Sequence, residues 1–258
     1  MSNDESNPMS VQRLSVVVPA YNEARTISEL LARVLASPYT AEVIVVNDAS
    51  TDETANLVGE ITDSRLRLLN QPANAGKGAA IRRGFQEATK DFVIVQDADL
   101  EYDPAEYPVM MEPLLAGRAD VVYGSRFAHA GSRRVLYFWH SVGNRLLTTF
   151  SNMTTNLNLT DMETCYKAFR REVLASFTLE EDRFGIEPEI TAKIAKGNWR
   201  IYEVGISYDG RTYADGKKIG WRDGIRAMYC IVLYSSIGPR IRLRKLEPII
   251  HILTGSKA

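Results

Sequence analysis

"LSVVVPAYNEARTISELLARVLASPYTAEVIVVNDAS", residues 14–50, carries two different hydrophobic rhythms. LSVVVPA (14–20) and AEVIVVNDAS (41–50) open on apolar, largely β-branched runs without polar alternation, the pattern of strands covered on both faces. Between them, TISELLARVL (26–35) spaces its apolar residues as one face of a helix does. A strand, a helix and a second buried strand joined by short connections make a βαβ unit. The alternation continues outward: TDETANLVGEI (51–61) reads as a helix, LRLLNQP (66–72) as a strand, KGAAIRRGFQEA (77–88) as a helix and DFVIVQDADL (91–100) as a fourth strand. The predicted fold is therefore α/β, a Rossmann-like, mostly parallel sheet flanked by helices.

Composition bounds the rest. At 258 residues and 45% hydrophobic content the chain can bury one large core. Lys plus Arg (31) balance Asp plus Glu (32), so charge gives no reason to expect a nucleic-acid partner. Cys165 and Cys230 lie far apart and fit no metal spacing, which predicts two buried or semi-buried thiols in a reducing compartment. Residues 1–12 are polar and read as a loose tail without a secretory signal. No segment reaches the roughly 20 apolar residues needed to cross a bilayer. AMYCIVLYSSIG (227–238), followed by PRIRLRK, reads either as a helix packed on the domain or as one lying on an anionic membrane surface.

In open α/β sheets, ligands bind beyond the carboxyl ends of the strands. Every unusual polar cluster of the first half falls there: PAYNEA, NDASTDET, NAGKG and DADLE follow the four strands in turn. The fingerprint G-x-G-x-x-G is absent from the first turn, which argues against NAD or FAD and leaves a single nucleotide open. Asp48 stands at a strand end, able to accept from a base or a ribose hydroxyl; Asp52 fits a capping role better. NAGKG (74–78) is no Walker A, yet it can bring backbone N–H groups and Lys77 toward a phosphate or base. Asp97 and Asp99 at the end of a buried strand favour a hard cation such as Mg²⁺ or Mn²⁺, with Glu101 near enough to join.

Downstream, Arg126, His129, Arg133, Arg134, His140 and Arg145 form a cationic stretch holding two of the three histidines. A phosphate acceptor needs such donors and, being already ionised, needs no general base; a hydroxyl acceptor needs one, with His140 or Glu187 as first suspects. Asp161 and Glu163 either align the acceptor side or pair with Lys167 and Arg170. Glu187 and Glu189 stand where a helix N-terminus stabilises acids without catalytic purpose. The glycine-rich YDGRTYADGKKIGWRDG (208–224) reads as a closing loop or a plain surface loop, with Arg211, Lys217 and Lys218 positioned to fold over a diphosphate.

Six blocks, VVVPAYNEA, VVNDASTDET, NAGKGAAIRRG, QDADLEYDP, VVYGSRF and DMETCYKAFRREVL, resemble in order and spacing the family 2 glycosyltransferases of the GT-A fold. Within that family the chain is most similar to the dolichyl or polyprenyl phosphate sugar transferases, over residues 13 to about 215. The resemblance implies a GT-A catalytic domain at 13–215 and a helical and loop extension at 216–258. It implies that Pro19, Ala20, Tyr21, Glu23, Asp48, Lys77 and Asp97 hold the nucleotide sugar, and that Asp99, with Glu101, holds Mg²⁺ or Mn²⁺. Arg126, Arg133 and Ser141 would receive an acceptor phosphate, and Asp97, Asp99, Arg126 and Arg211 would carry the chemistry. The implied reaction is an inverting transfer from a UDP- or GDP-sugar to a polyprenyl phosphate in cell-envelope synthesis, by a cytoplasmic protein at the inner face of the membrane. Transfer to a hydroxyl on a glycan or glycolipid, nucleotidyl transfer, and non-catalytic nucleotide-sugar binding are the alternatives. Many lipid-phosphate transferases continue into membrane-spanning helices, whereas this sequence stops after IIHILTGSKA. The expectation is then that residues 219–250 dock on the membrane, that a membrane-protein partner anchors the chain, or that the acceptor is not a prenyl phosphate; a homo-oligomer is also open.

Overall fold

A computed structural model of the chain describes residues 13–128, 134–135, 137–210 and 221–235, together with 247, 250 and 254. Seven strands form one sheet: β1 (Leu14–Ala20), β2 (Thr40–Asn47), β3 (Leu66–Asn70), β4 (Phe92–Val95), β5 (Val121–Ser125), β6 (Lys167–Arg170) and β7 (Ile201–Gly205). Their order is β3-β2-β1-β4-β6-β5-β7. Every neighbouring pair is parallel except those of β6, which runs antiparallel to both β4 and β5. The four expected strands and the helices between them are all present, and β1 and β4 are buried along their whole length as unbroken apolar runs require.

The helices are α1 (Ile27–Ala36), α2 (Thr54–Gly59), α3 (Lys77–Glu87), α4 (Tyr107–Leu115), α5 (Phe138–Thr155), α6 (Arg171–Ala175), α7 (Ile186–Ala195) and α8 (Trp221–Tyr234). α1 shows how sequence becomes packing: Ile27, Leu30, Leu31 and Val34, spaced i, i+3, i+4 and i+7, are the residues it buries. The main core gathers these with alternate residues of β1, β2 and β4 and with Met110, Met111 and Leu114 of α4. Opposite faces of β1 and β2 supply Val17, Ile44 and Val46 to a second cluster with Ala80 of α3, so the sheet is covered on both sides. Cys165 and Cys230 are buried and unbridged, as expected.

The described part of AMYCIVLYSSIG, residues 227–235, belongs to α8 and the residue after it, and it is packed on the domain. Ala227, Tyr229, Cys230, Ile231, Leu233 and Tyr234 are all buried, several of them in a cluster with Ala192 of α7. Arg226 on this helix forks onto the buried Glu181 carboxylate at 2.8–3.1 Å, and Tyr234 donates to the same group at 3.0 Å. The apolar area of these side chains is thus buried inside the fold, while Met228 on the same helix is 52% exposed. Among the described residues no helix is long and apolar enough to cross a membrane.

Candidate active site

The strand ends of β1, β2 and β4 open on a cavity of about 410 Å³. Its lining includes Pro19, Ala20, Tyr21, Glu23, Asp48, Lys77, Asp97, Asp99, Glu101 and Arg126, so the structure brings together most of the residues singled out from the sequence.

The turn after β4 is fixed from beneath. Gln96 is fully buried; its Nε2 donates to the carbonyls of Asp97 and Tyr102, and its Oε1 accepts from the hydroxyls of Tyr107 and Tyr166. Thr26 ties the same turn to the start of α1 by donating to the Ala98 carbonyl at 2.7 Å. Beyond the end of β4 the chain turns at Leu100, φ 63°, and Asp97, Asp99 and Glu101, which already share a face by their spacing of two, all line the cavity. A buried glutamine just before an acidic pair is the sequence signal that could have announced this support.

Lys77 stands at the start of α3 and reaches Asp97 at 2.8 Å and Glu187 at 3.5 Å. Burial opposes its charge, but the surrounding negative groups, Asp97 first, outweigh this and hold its ammonium well above the ordinary lysine range. Asp48 is 3% exposed, and its carboxylate accepts from Gln71 Nε2 (2.7 Å), Ala75 N (2.8 Å) and Gly76 N (2.7 Å). It thereby ties the NAGKG loop to the end of β2. Any base or ribose would share a carboxylate already engaged in positioning Lys77. Gly76 has φ 102°, a conformation that a residue with a Cβ rarely adopts. Asp52 lies outside the lining and braces its own turn, accepting from Thr54 N and Ala24 N as its capping reading required.

On the far side, Arg126 and Asp161 form a buried pair with Nε–Oδ2 at 2.6 Å and Nη2–Oδ1 at 2.8 Å. Asn144 contacts both partners, at 3.2 Å and 3.0 Å. Of the two readings open for Asp161, pairing with Lys167 or Arg170 is not the one found, since its partner is Arg126 on the wall of the cavity. Arg170 instead approaches Asp120 at 3.4 Å. Burial would raise the Asp161 carboxyl, but Arg126 holds it below the usual range. The Arg126 guanidinium also lies 5.1 Å from the ring centroid of Tyr208, whose hydroxyl donates to Glu101 at 2.7 Å. No signal in the loop after β7 singles out Tyr208, and sequence reasoning gave it no role.

Three acidic positions near α7 separate by role. Glu189 is fully buried and accepts from the backbone N–H groups of Glu180 (2.7 Å) and Glu181 (2.8 Å), so it builds the loop ahead of the helix. Glu187 lines the cavity and has one buried oxygen, Oε2, without a hydrogen-bond partner among the described residues. Glu163 lines it too, and its Oε1 is likewise unsatisfied. Burial, then the negative charge of Glu187, pushes the Glu163 carboxyl up to about 8. Lys167 beneath them is fully buried; burial lowers its affinity for a proton, and its ammonium donates to the Thr164 carbonyl.

His140 joins the cavity, whereas Ser141 does not: its hydroxyl donates to the Tyr137 carbonyl one turn back. The expected acceptor-phosphate role of Ser141 thus lacks a place in this cavity. Arg133, Arg211, Lys217 and Lys218 lie outside the described residues, as does most of the closing loop. Among the described residues no three His, Cys, Asp or Glu side chains converge as a ready-made metal cage. Both Asp97 oxygens approach Lys77, so the metal expectation rests on Asp99 with Glu101 beside it. One or two carboxylates completed by substrate phosphate oxygens is an ordinary donor set for Mg²⁺ or Mn²⁺, and the residues fit it.

A Rossmann-like sheet with an antiparallel strand inserted beside β4, and an acidic turn facing a nucleotide-sized cavity, defines a GT-A glycosyltransferase. The family model described as "Glycosyl transferase family 2" matches residues 15–177, and the chain belongs to that family. It is 26% identical over 226 residues to the polyprenol monophosphomannose synthase of Mycolicibacterium smegmatis, covering 84% of this chain and 85% of that one. It is 28% identical over 223 residues to the undecaprenyl-phosphate mannosyltransferase of Micrococcus luteus, covering 81% and 88%. Among solved structures, it is similar to the glucosyl-3-phosphoglycerate synthase of Mycobacterium tuberculosis in complex with Mn²⁺, UDP and phosphoglyceric acid, with TM-score 0.68, 20% identity and coverage of 89% and 81%.

Proposed function

We propose that this glycosyltransferase uses a divalent ion to move a sugar from a UDP-linked donor to a hydroxyl acceptor, with inversion at the anomeric carbon. The observation that carries the choice of acceptor is Glu187, a cavity-lining carboxylate with a buried oxygen unpartnered among the described residues. The structural relative's UDP and phosphoglyceric acid complex supports the same reading. The acceptor hydroxyl gives its proton to Glu187 Oε2 as its oxygen bonds to the anomeric carbon, and the bond from that carbon to the diphosphate breaks, releasing UDP. Asp48 and the loop it holds position the nucleotide, while Lys77 supplies fixed positive charge near the diphosphate. Mg²⁺ or Mn²⁺ at Asp99 would neutralise charge on the departing diphosphate.

A second reading keeps the donor half and makes a polyprenyl phosphate the acceptor, in line with the names of the sequence relatives. Arg126 favours it, because Asp161 and Asn144 engage Nε and Nη2 while Nη1 makes no hydrogen bond among the described residues. The deciding assay supplies Mn²⁺, a panel of UDP- and GDP-sugars, and both water-soluble hydroxyl acceptors and undecaprenyl phosphate in detergent, with products read by mass. The hydroxyl reading expects a glycoside, and Glu187→Gln to cost about 10²-fold or more in turnover while donor binding persists. A sugar-phosphate lipid formed equally well by Glu187→Gln would replace it with the second reading. Pyrophosphate release would identify a nucleotidyltransferase, and tight donor binding without turnover a sensor.

A further inference from the structure

Helix α5 carries apolar side chains on two sides: Leu147 and Phe150 pack against the main core, and others face outward. The residues it buries are the polar Asn144, Thr148 and Ser151, while Trp139, Leu146 and Met153, seven residues apart, are 77%, 67% and 77% exposed. Spacing by seven keeps three side chains in one file along a helix. Phe138, 69% exposed, widens the file at its N-terminal end. Two of these inward polar groups are accounted for: Asn144 bonds Arg126 and Asp161, and the Thr148 hydroxyl accepts from Met162 N. The outward apolar groups have no such explanation, and soluble surfaces seldom expose contiguous apolar patches of this kind without a partner.

Charge narrows the choice of partner. α5 carries no Asp or Glu, and Arg134 and Arg145 are exposed and pair with no carboxylate among the described residues. A second copy docking through the same face would bring cations against cations. A bilayer with anionic headgroups offers apolar chains for the aromatic and aliphatic file and phosphates for the arginines. We propose that the outer face of α5 is a membrane-contact surface that seats the enzyme on anionic lipid. His140, one residue along from Trp139, lines the cavity, so the contact would set the mouth of the active site against the headgroups. The surface is independent of which acceptor is used, since vesicle binding is read without donor or acceptor.

The test is co-sedimentation of the full chain with phosphatidylcholine vesicles, with and without phosphatidylglycerol. Binding is expected only with the anionic lipid. Trp139→Glu and Leu146→Glu should each weaken it by about tenfold or more, and Arg145→Gln by roughly fivefold. Melting temperature and transfer to a soluble acceptor should hold in all three. Failure of the parent to bind anionic vesicles overturns the proposal. A doubled solution mass that Leu146→Glu abolishes, without vesicle binding, would assign the face to a second copy. A lowered melting temperature in Leu146→Glu, again without vesicle binding, would show that another part of this chain covers it.

Discussion

Replacing Asp161 by Asn changes almost no volume but leaves the Arg126 guanidinium buried beside a neutral amide. In the parent, Asp161 accepts from Arg126 through its backbone N–H (3.0 Å), Nε (2.6 Å) and Nη2 (2.8 Å), and from Asn144 at 3.0 Å. Removing one member of a buried ion pair costs about 3–5 kcal/mol, because the remaining charge has lost both water and partner. Unfolding entropy of about 2.1 cal/mol/K per residue over 258 residues comes to roughly 0.54 kcal/mol/K. The melting temperature should therefore fall by about 6–9 °C. The assay is thermal unfolding at neutral pH, followed by circular dichroism, with Arg126→Met/Asp161→Asn alongside. The double variant should recover much of the loss, since it removes the stranded charge. A fall of less than about 2 °C for Asp161→Asn would mean that water reaches Arg126 and that the pair is no buried clamp.

Three further outcomes follow from the site. Glu163, with its carboxyl pushed up to about 8, keeps in the folded protein a proton that the unfolded chain releases near the ordinary glutamate value, so stability should decline as pH rises from about 5 to 8. Melting curves across that window should flatten in Glu163→Gln, and parallel curves for parent and variant would refute the shift. A Cβ at Gly78 would run into the Glu181 carbonyl oxygen and lie 2.9 Å from the Asp182 carbonyl carbon, so Gly78→Ala should cost about 1–3 kcal/mol and weaken UDP-sugar binding through displaced Lys77; unchanged affinity by calorimetry would separate that loop from the donor. Asp99→Ala should lose metal-stimulated turnover by about 10²-fold or more, and a variant as active as the parent in a Mn²⁺ titration would end the metal assignment.

The sheet and its ligand edge were legible because they rest on local periodicity. Unbroken β-branched runs and helical spacing are visible within ten residues, and the loops at the strand ends inherit their location from the alternation itself. Partner choice was not legible. Arg126 finds Asp161 across 35 positions, and Lys77 meets Glu187 because the loop ahead of α7 is held against the start of α3, where Ala79 N donates to the Asp182 carbonyl at 3.1 Å. Nearness in sequence suggested Lys167 for Asp161, but the main chain turns between them and Lys167 goes into the core. Gln96 was passed over for the same reason. Its four bonds join the turn after β4, the start of α4 and Tyr166 just ahead of β6, which only the fold brings together.

α5 carries this lesson furthest. Apolar residues repeating along a helix are ordinarily the face turned to the core, and read alone, Trp139, Leu146 and Met153 would be placed inside. The structure places them outside because the inward side is already occupied: Leu147 and Phe150 pack against the core, Asn144 holds Arg126 and Asp161, and Thr148 receives Met162 N. A helix facing a charged cavity must present polar groups inward, since an unpaired ion pair there would cost more than a lost apolar contact. That accounts for the polar inner face and leaves the apolar outer one unexplained by folding. Threonine or lysine at 139, 146 and 153 would serve an isolated domain as well, so the apolar file points to a surface that meets something other than water.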